Sequence, residues 1–142
     1  MRIAIGADHG GFNLKEKIVK YLKDNNIEFK DFGTFSLESC HYPQFAKQVA
    51  KEVVAGNFDK GILVCGSGIG MSITANRIKG IRAALCWDET TTKLSRQHNN
   101  SNLLCLGERV IDNDLAIKMV DLWIKTDFEG ERHKIRTDMI ED

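Results

Sequence analysis

Five times along this chain a short apolar run of strand character is followed by a longer amphipathic stretch, and that alternation leaves few folds open. The apolar runs lie at 2–7, 28–32, 61–65, 82–86 and 103–106. After the first, Leu14, Ile18, Tyr21 and Leu22 recur at helical spacing with lysines between them. Phe45, Val49 and Val53 stand four apart and predict a helix over 43–55, with Pro43 in its first turn and Gly56 at its exit. A glycine-rich turn follows the third run and leads into a helix reaching about residue 77. Further helices are predicted over 88–97 and around Ala116, Met119, Val120 and Trp123, the latter capped by Asp112 or Asn113. A last charged helix follows Gly130. Right-handed crossovers then require a five-stranded parallel sheet flanked by helices on both faces, a three-layer α/β sandwich. With 142 residues and no repeat or linker, the chain reads as one domain over 1–142.

Composition narrows the function. Twenty Lys and Arg balance 20 Asp and Glu, so the chain lacks the cationic excess that phosphate backbones demand, and nucleic acid is not expected as a partner. No apolar run approaches the ~20 residues of a membrane span. Residues 1–8 lack the apolar core of a secretion signal. The four cysteines, Cys40, Cys65, Cys86 and Cys105, are too far apart for C-x-x-C chemistry. The expectation is a cytoplasmic protein with reduced thiols and no membrane partner.

In a Rossmann-like sandwich, ligands bind beyond the carboxyl ends of the strands. Cys65-Gly66-Ser67-Gly68-Ile69-Gly70 lies there, directly after the third strand. Its alternate glycines let backbone N–H groups approach an anion at a helix entrance. It fits neither the G-x-G-x-x-G nor the Walker pattern, and a tight turn without a ligand is the other reading. Cys65 is either a small core residue or a thiolate favoured by the helix entrance. Asp8 and His9, before Gly10 and Gly11, suit a simple helix cap or a site for hydroxyls and phosphate. His98 sits in a polar stretch with Asn99, where a surface histidine is the default. Arg132 and Arg136 share one helical face as a solvated charged surface or a phosphate clamp, and Arg109 alone signals little.

Taken in order, Gly6-x-Asp8-His9-Gly10-Gly11-Phe12, Cys65 to Gly70, Ser95-Arg96-Gln97-His98-Asn99 and Gly130-x-Arg132-His133-x-x-Arg136 resemble the type B ribose-5-phosphate isomerases. That family also holds galactose-6-phosphate isomerase subunits, and the resemblance runs from Met1 to about residue 137. It implies aldose–ketose isomerisation of a sugar phosphate through a cis-enediolate, in the non-oxidative pentose phosphate pathway, with no metal or cofactor. By the same resemblance Cys65 is the base, His98 assists ring opening and Ser67 relays protons between the oxygens. The amides of Gly66, Ser67, Gly68, Ile69 and Gly70 hold the enediolate. Asp8, His9 and Asn99 bind the sugar, and Arg109, Arg132 and Arg136 bind the phosphate. The resemblance also implies a homodimer with a shared site and leaves open whether dimers pair into a tetramer.

Two positions depart from the family pattern. Ser67 stands where many members carry Thr, and both supply a hydroxyl. Met71 stands where one branch uses a Glu base, which makes this a cysteine-type chain. The competing readings are a galactose- or allose-6-phosphate isomerase, a non-catalytic phosphate-binding module and a Cys–His hydrolase.

Overall fold

In the computed structural model, which describes residues 1–141, five parallel strands form one sheet in the order β2-β1-β3-β5-β4. The strands are β1 (Arg2–Ala7), β2 (Glu28–Asp31), β3 (Lys60–Cys65), β4 (Ala83–Leu85) and β5 (Leu103–Gly107). The helices are α1 (Phe12–Asp24), α2 (Tyr42–Val54), α3 (Ile69–Ala75), α4 (Glu89–Gln97), α5 (Asn113–Lys125) and α6 (Arg132–Ile140). A short 3-10 turn, His9–Gly11, precedes α1. The expected α/β sandwich is therefore present, with β1 lying between β2 and β3, and β5 inserted between β3 and β4.

The period-2 geometry of a strand divides the core between the two faces. Ile3, Ile5, Ile62, Val64, Leu104 and Leu106 point one way, against Leu14, Ile18 and Leu22 of α1 and Met119, Val120 and Trp123 of α5. Ala4, Leu63, Cys65, Leu103 and Cys105 point the other way, against Val49, Ala50 and Val53 of α2 and Met71 and Ala75 of α3. Because both faces are covered, the central strands read as unbroken apolar runs.

Element ends follow local chemistry. Asp112, rather than Asn113, caps α5 by accepting from Leu115 N–H at 3.1 Å. Asp88 caps α4, accepting from Thr91 N–H at 2.7 Å. Helix α3 is shorter than the glycine-rich pattern suggests, stopping at Ala75, with Asn76 turned to bond both ways with Ala83 of the edge strand. One residue defies its pattern. Lys15 falls on the apolar face of α1, at helical spacing with Ile18, Val19 and Leu22, and is itself fully buried, its Nζ paired with Asp31 and Glu16. The long stem reaches back to the end of β2, where the carboxylate neutralises a charge that could not otherwise be buried.

Candidate active site

Three loops leave the carboxyl ends of neighbouring strands β1, β3 and β5 and are tied together by extensions of the ladder. Asp8 N–H donates to Val64 C=O at 3.2 Å. Glu108 N–H donates to Cys65 C=O at 2.9 Å, and Arg109 N–H to Gly66 C=O at 3.0 Å. The resulting cleft, about 600 Å³, is bordered by Asp8, Cys65, Ser67, Gly70, Arg109 and Tyr42. Asp8, the Cys65 loop and Arg109 are distant in sequence and meet only because β1, β3 and β5 are adjacent.

Cys65 is the last residue of β3 and is 5% exposed, its sulfur at the floor of the loop. Gly68 N–H donates to Sγ at 3.1 Å, a contact that a thiolate accepts more strongly than a thiol. Burial pushes the Cys86 and Cys105 thiols up, so both stay protonated near neutral pH and serve as core. Ser67 Oγ accepts from Ile69 N–H at 3.2 Å, leaving its own proton free to be donated. Asp8 Oδ1 accepts from Gly10 N–H at 2.9 Å, so the capping reading of Asp8 is correct, and the residue still borders the cleft. His9 turns to the loop before α2, where its Nδ1 accepts from Cys40 N–H at 3.2 Å. Accepting at Nδ1 puts the ring proton on Nε2.

Gly68 shows why the loop needs its glycines. It has φ +79°, and a Cβ there would lie 2.6 Å from Leu85 Cδ1 and 2.9 Å from the carbonyl carbon of Leu106. Gly68→Ala is expected to cost about 2–4 kcal/mol, adding left-handed strain to overpacking. A chemical denaturation series reads this directly, and an unchanged midpoint would contradict the tight seating of the loop.

A second group of residues lies elsewhere in the chain. His98 follows α4, and its ring stacks on that of His133 of α6 with centroids 4.1 Å apart and planes 11° apart. Glu129 Oε1 lies 3.7 Å from His98 Nε2 and 3.4 Å from His133 Nε2. Burial holds the His133 imidazole below its usual range, with further depression from His98 and Arg132 and a smaller one from Arg136, while Glu129 opposes them. Arg132 and Arg136 are exposed on the same helix. Asn99 is exposed beside a different cavity, with Arg77 and Arg82. None of His98, Asn99, Arg132 or Arg136 borders the Cys65 cleft.

The polar atoms of His98, Glu129 and His133 all lie within 4.8 Å of one another, a grouping that could be read as a metal site. Nearly parallel stacked rings, however, aim their nitrogen lone pairs side by side rather than at one point, so the arrangement suits proton exchange better than coordination. Sequence reasoning missed three features: Tyr42 against Gly70, buried His133, and Glu129 beside two imidazoles. Only His133 carried a signal, since it stands inside the Gly130-to-Arg136 motif.

Comparison with known proteins matches this arrangement of loops. A family profile described as Ribose/Galactose Isomerase matches residues 3–140. The chain belongs to that family. Ribose-5-phosphate isomerase B of Escherichia coli is 47% identical over 98% of this chain and 93% of the relative. Ribose-5-P isomerase B of Listeria innocua is 44% identical over 100% of this chain and 96% of the relative. Among solved structures, Clostridium thermocellum ribose-5-phosphate isomerase B superposes with a TM-score of 0.98 at 49% identity, covering 99% of this chain and 95% of that one. The enzyme from Mycoplasma genitalium, solved with bound ribulose-5-phosphate, gives a TM-score of 0.94 at 42% identity over 98% of this chain and 93% of that one. Membership extends over both groups of residues, the cleft at Cys65 and the His98–α6 cluster, because the matched segment contains both.

Proposed function

We propose that this protein interconverts D-ribose 5-phosphate and D-ribulose 5-phosphate through a cis-enediolate, with each site completed by a second copy of the chain. The observation that carries the reading is the Cys65 sulfur, held by Gly68 N–H at the floor of a glycine-lined cleft that also holds Asp8 and Arg109. The relative solved with ribulose-5-phosphate supports the choice of sugar.

In the aldose-to-ketose direction, Cys65 as thiolate removes the proton on C2. The electron pair forms the C1=C2 bond and moves the carbonyl electrons onto O1. Amides of the Gly66-to-Gly70 loop other than those of Gly68 and Ile69, which are bonded to Cys65 Sγ and Ser67 Oγ, stabilise that oxygen, a contribution of about 3–4 kcal/mol for one well-placed donor. Ser67 passes the O2 proton to O1, the C2 carbonyl forms, and Cys65 returns its proton to C1. A positioned base is worth about 10²–10⁴-fold in such a step. Arg109, with Arg132 and Arg136 of the second copy, would anchor the phosphate and hold the reacting carbons against the sulfur.

Sharing of the site is supported by the separation of the two groups within one protomer. Exposed apolar side chains accompany both: Ile69, Ile73 and Val110 around the cleft, and Leu94, Ile135 and Met139 on α4 and α6. Such side chains in a chain of balanced charge suit a covered contact between copies. A homodimer working in the cytoplasm, within the pentose phosphate pathway, is part of the same proposal. Among the described residues no helix is long and apolar enough to cross a membrane.

The test is a panel of ribose 5-phosphate, allose 6-phosphate and galactose 6-phosphate with the purified chain, with and without a chelator. Ribose 5-phosphate is expected to exceed either hexose by about tenfold or more in kcat/KM, since one additional carbon in a fitted pocket costs about 1–3 kcal/mol. The chelator is expected to change nothing. A hexose phosphate turned over faster would reassign the substrate, and no turnover of any would leave a phosphate-binding module.

A further inference from the structure

We propose that Glu129 is the positioning residue for His98, holding Nε2 of that ring so that Nδ1 is the nitrogen that works on the sugar. The proposal rests on the reading of His98 as the residue that opens the sugar ring.

The segment that carries Glu129 is fixed to the end of α4 by contacts that do not involve the carboxylate. Arg96 is buried and its Nε donates to Thr126 C=O at 3.1 Å, while Glu129 N–H donates to Gln97 C=O at 3.1 Å. Those two anchors bring the Glu129 carboxylate beside His98, one residue beyond Gln97. Oε1 then faces Nε2 of both stacked imidazoles, at 3.7 and 3.4 Å. His133 is 4% exposed, and its Nε2 is the one buried side-chain nitrogen or oxygen among the described residues with no hydrogen-bond partner. A buried polar nitrogen left unpaired beside a carboxylate is costly unless a change in geometry or protonation completes the contact. Catalytic hydrogen bonds are commonly long before substrate arrives and tighten in the complex.

Ring opening moves one proton from the anomeric O1 hydroxyl to the ring oxygen as the bond between C1 and that oxygen breaks and C1=O1 forms. His98 Nδ1 takes the O1 proton and hands it to the ring oxygen, so the imidazole begins and ends neutral. Between the two transfers it is an imidazolium, and a carboxylate at Nε2 stabilises that state and fixes the tautomer, the logic of a base–orienter pair. His133 packs flat against the ring and limits its rotation. Arg132 and Arg136, the other charged groups of α6 that act on His133, disfavour a second positive charge there.

Ribulose 5-phosphate has no ring to open, because its 5-hydroxyl is esterified, so the two halves of the reaction can be read separately. Exchange of its C1 hydrogen with deuterated solvent reports enediolate formation alone. Glu129→Gln keeps the shape and removes the charge. It is expected to lower isomerisation of ribose 5-phosphate about 10–100-fold while leaving C1 exchange within about threefold of the parent. Glu129→Asp, which keeps the charge one carbon short, should fall between the two. Equal losses in both assays, no loss in either, or an Asp variant no better than Gln would each overturn the proposal. His98→Ala run alongside separates the two levels. A selective ring-opening loss in that variant without one in Glu129→Gln rejects Glu129 alone, and no selective loss in His98→Ala rejects the reading of His98 itself.

Discussion

Replacing Cys65 with Ala is expected to abolish isomerisation, lowering kcat by at least about 10³-fold while ribose 5-phosphate still binds. The side chain contributes one sulfur at the floor of the cleft, and apart from the Gly68 N–H to Sγ bond the loop around it is held by backbone contacts that the substitution leaves in place. Glu108 N–H to Cys65 C=O and Arg109 N–H to Gly66 C=O are both main-chain bonds. The groups proposed to bind sugar and phosphate, Asp8 and Arg109, follow other strands. Met71, buried near the start of α3, has no group that could move a proton in place of the thiolate. Calorimetric titration with ribose 5-phosphate should therefore give a dissociation constant within about threefold of the parent, since little uniform binding is lost. Turnover within about tenfold of the parent would remove Cys65 from the chemistry and return it to the core.

A second large effect is expected from mixing two inactive proteins. Cys65→Ala and His98→Ala each disable a different portion of the proposed shared site, and each portion lies on its own surface of the protomer. When the two variants are unfolded together and refolded at equal concentration, half the dimers are hybrids. Each hybrid carries one site with both lesions and one with neither. Activity should recover to about a quarter of the parent value, from nearly none in either variant alone, by the statistics of a two-fold interface. Refolding each variant by itself controls for losses in handling. A mixture no more active than its components would place both residues in one protomer's site and contradict the sharing of sites.

The two groups differ in how far local sequence could reveal them. The loop Cys65 to Gly70 is contiguous, directly follows an apolar strand and opens a helix, so its glycines signal close backbone approach on local grounds alone. Gly68 bears this out, with a left-handed φ and no room for a Cβ. The pairing of Glu129 with His98 carries no such mark. They are far apart in the chain, and the link depends on a buried arginine, Arg96, bonding the extended segment after α5. Lys15 shows the same limit, since helical spacing puts a charged side chain on the apolar face of α1 with Ile18, Val19 and Leu22, and only the neighbouring end of β2 supplies the carboxylate that allows its burial.

By itself the sequence determined the succession of strands and helices along the chain, the two-sided apolar faces and the position of the glycine loop at a strand's carboxyl end. Those are consequences of periodicity and of backbone sterics, which act between residues close in the chain. Only the tertiary structure decided that β5 would lie between β3 and β4, bringing Arg109 to Cys65, and that Asn99, His98 and α6 would lie away from that cleft. Strand order and helix docking depend on which buried surfaces fit one another, and that energy is shared among residues far apart in sequence.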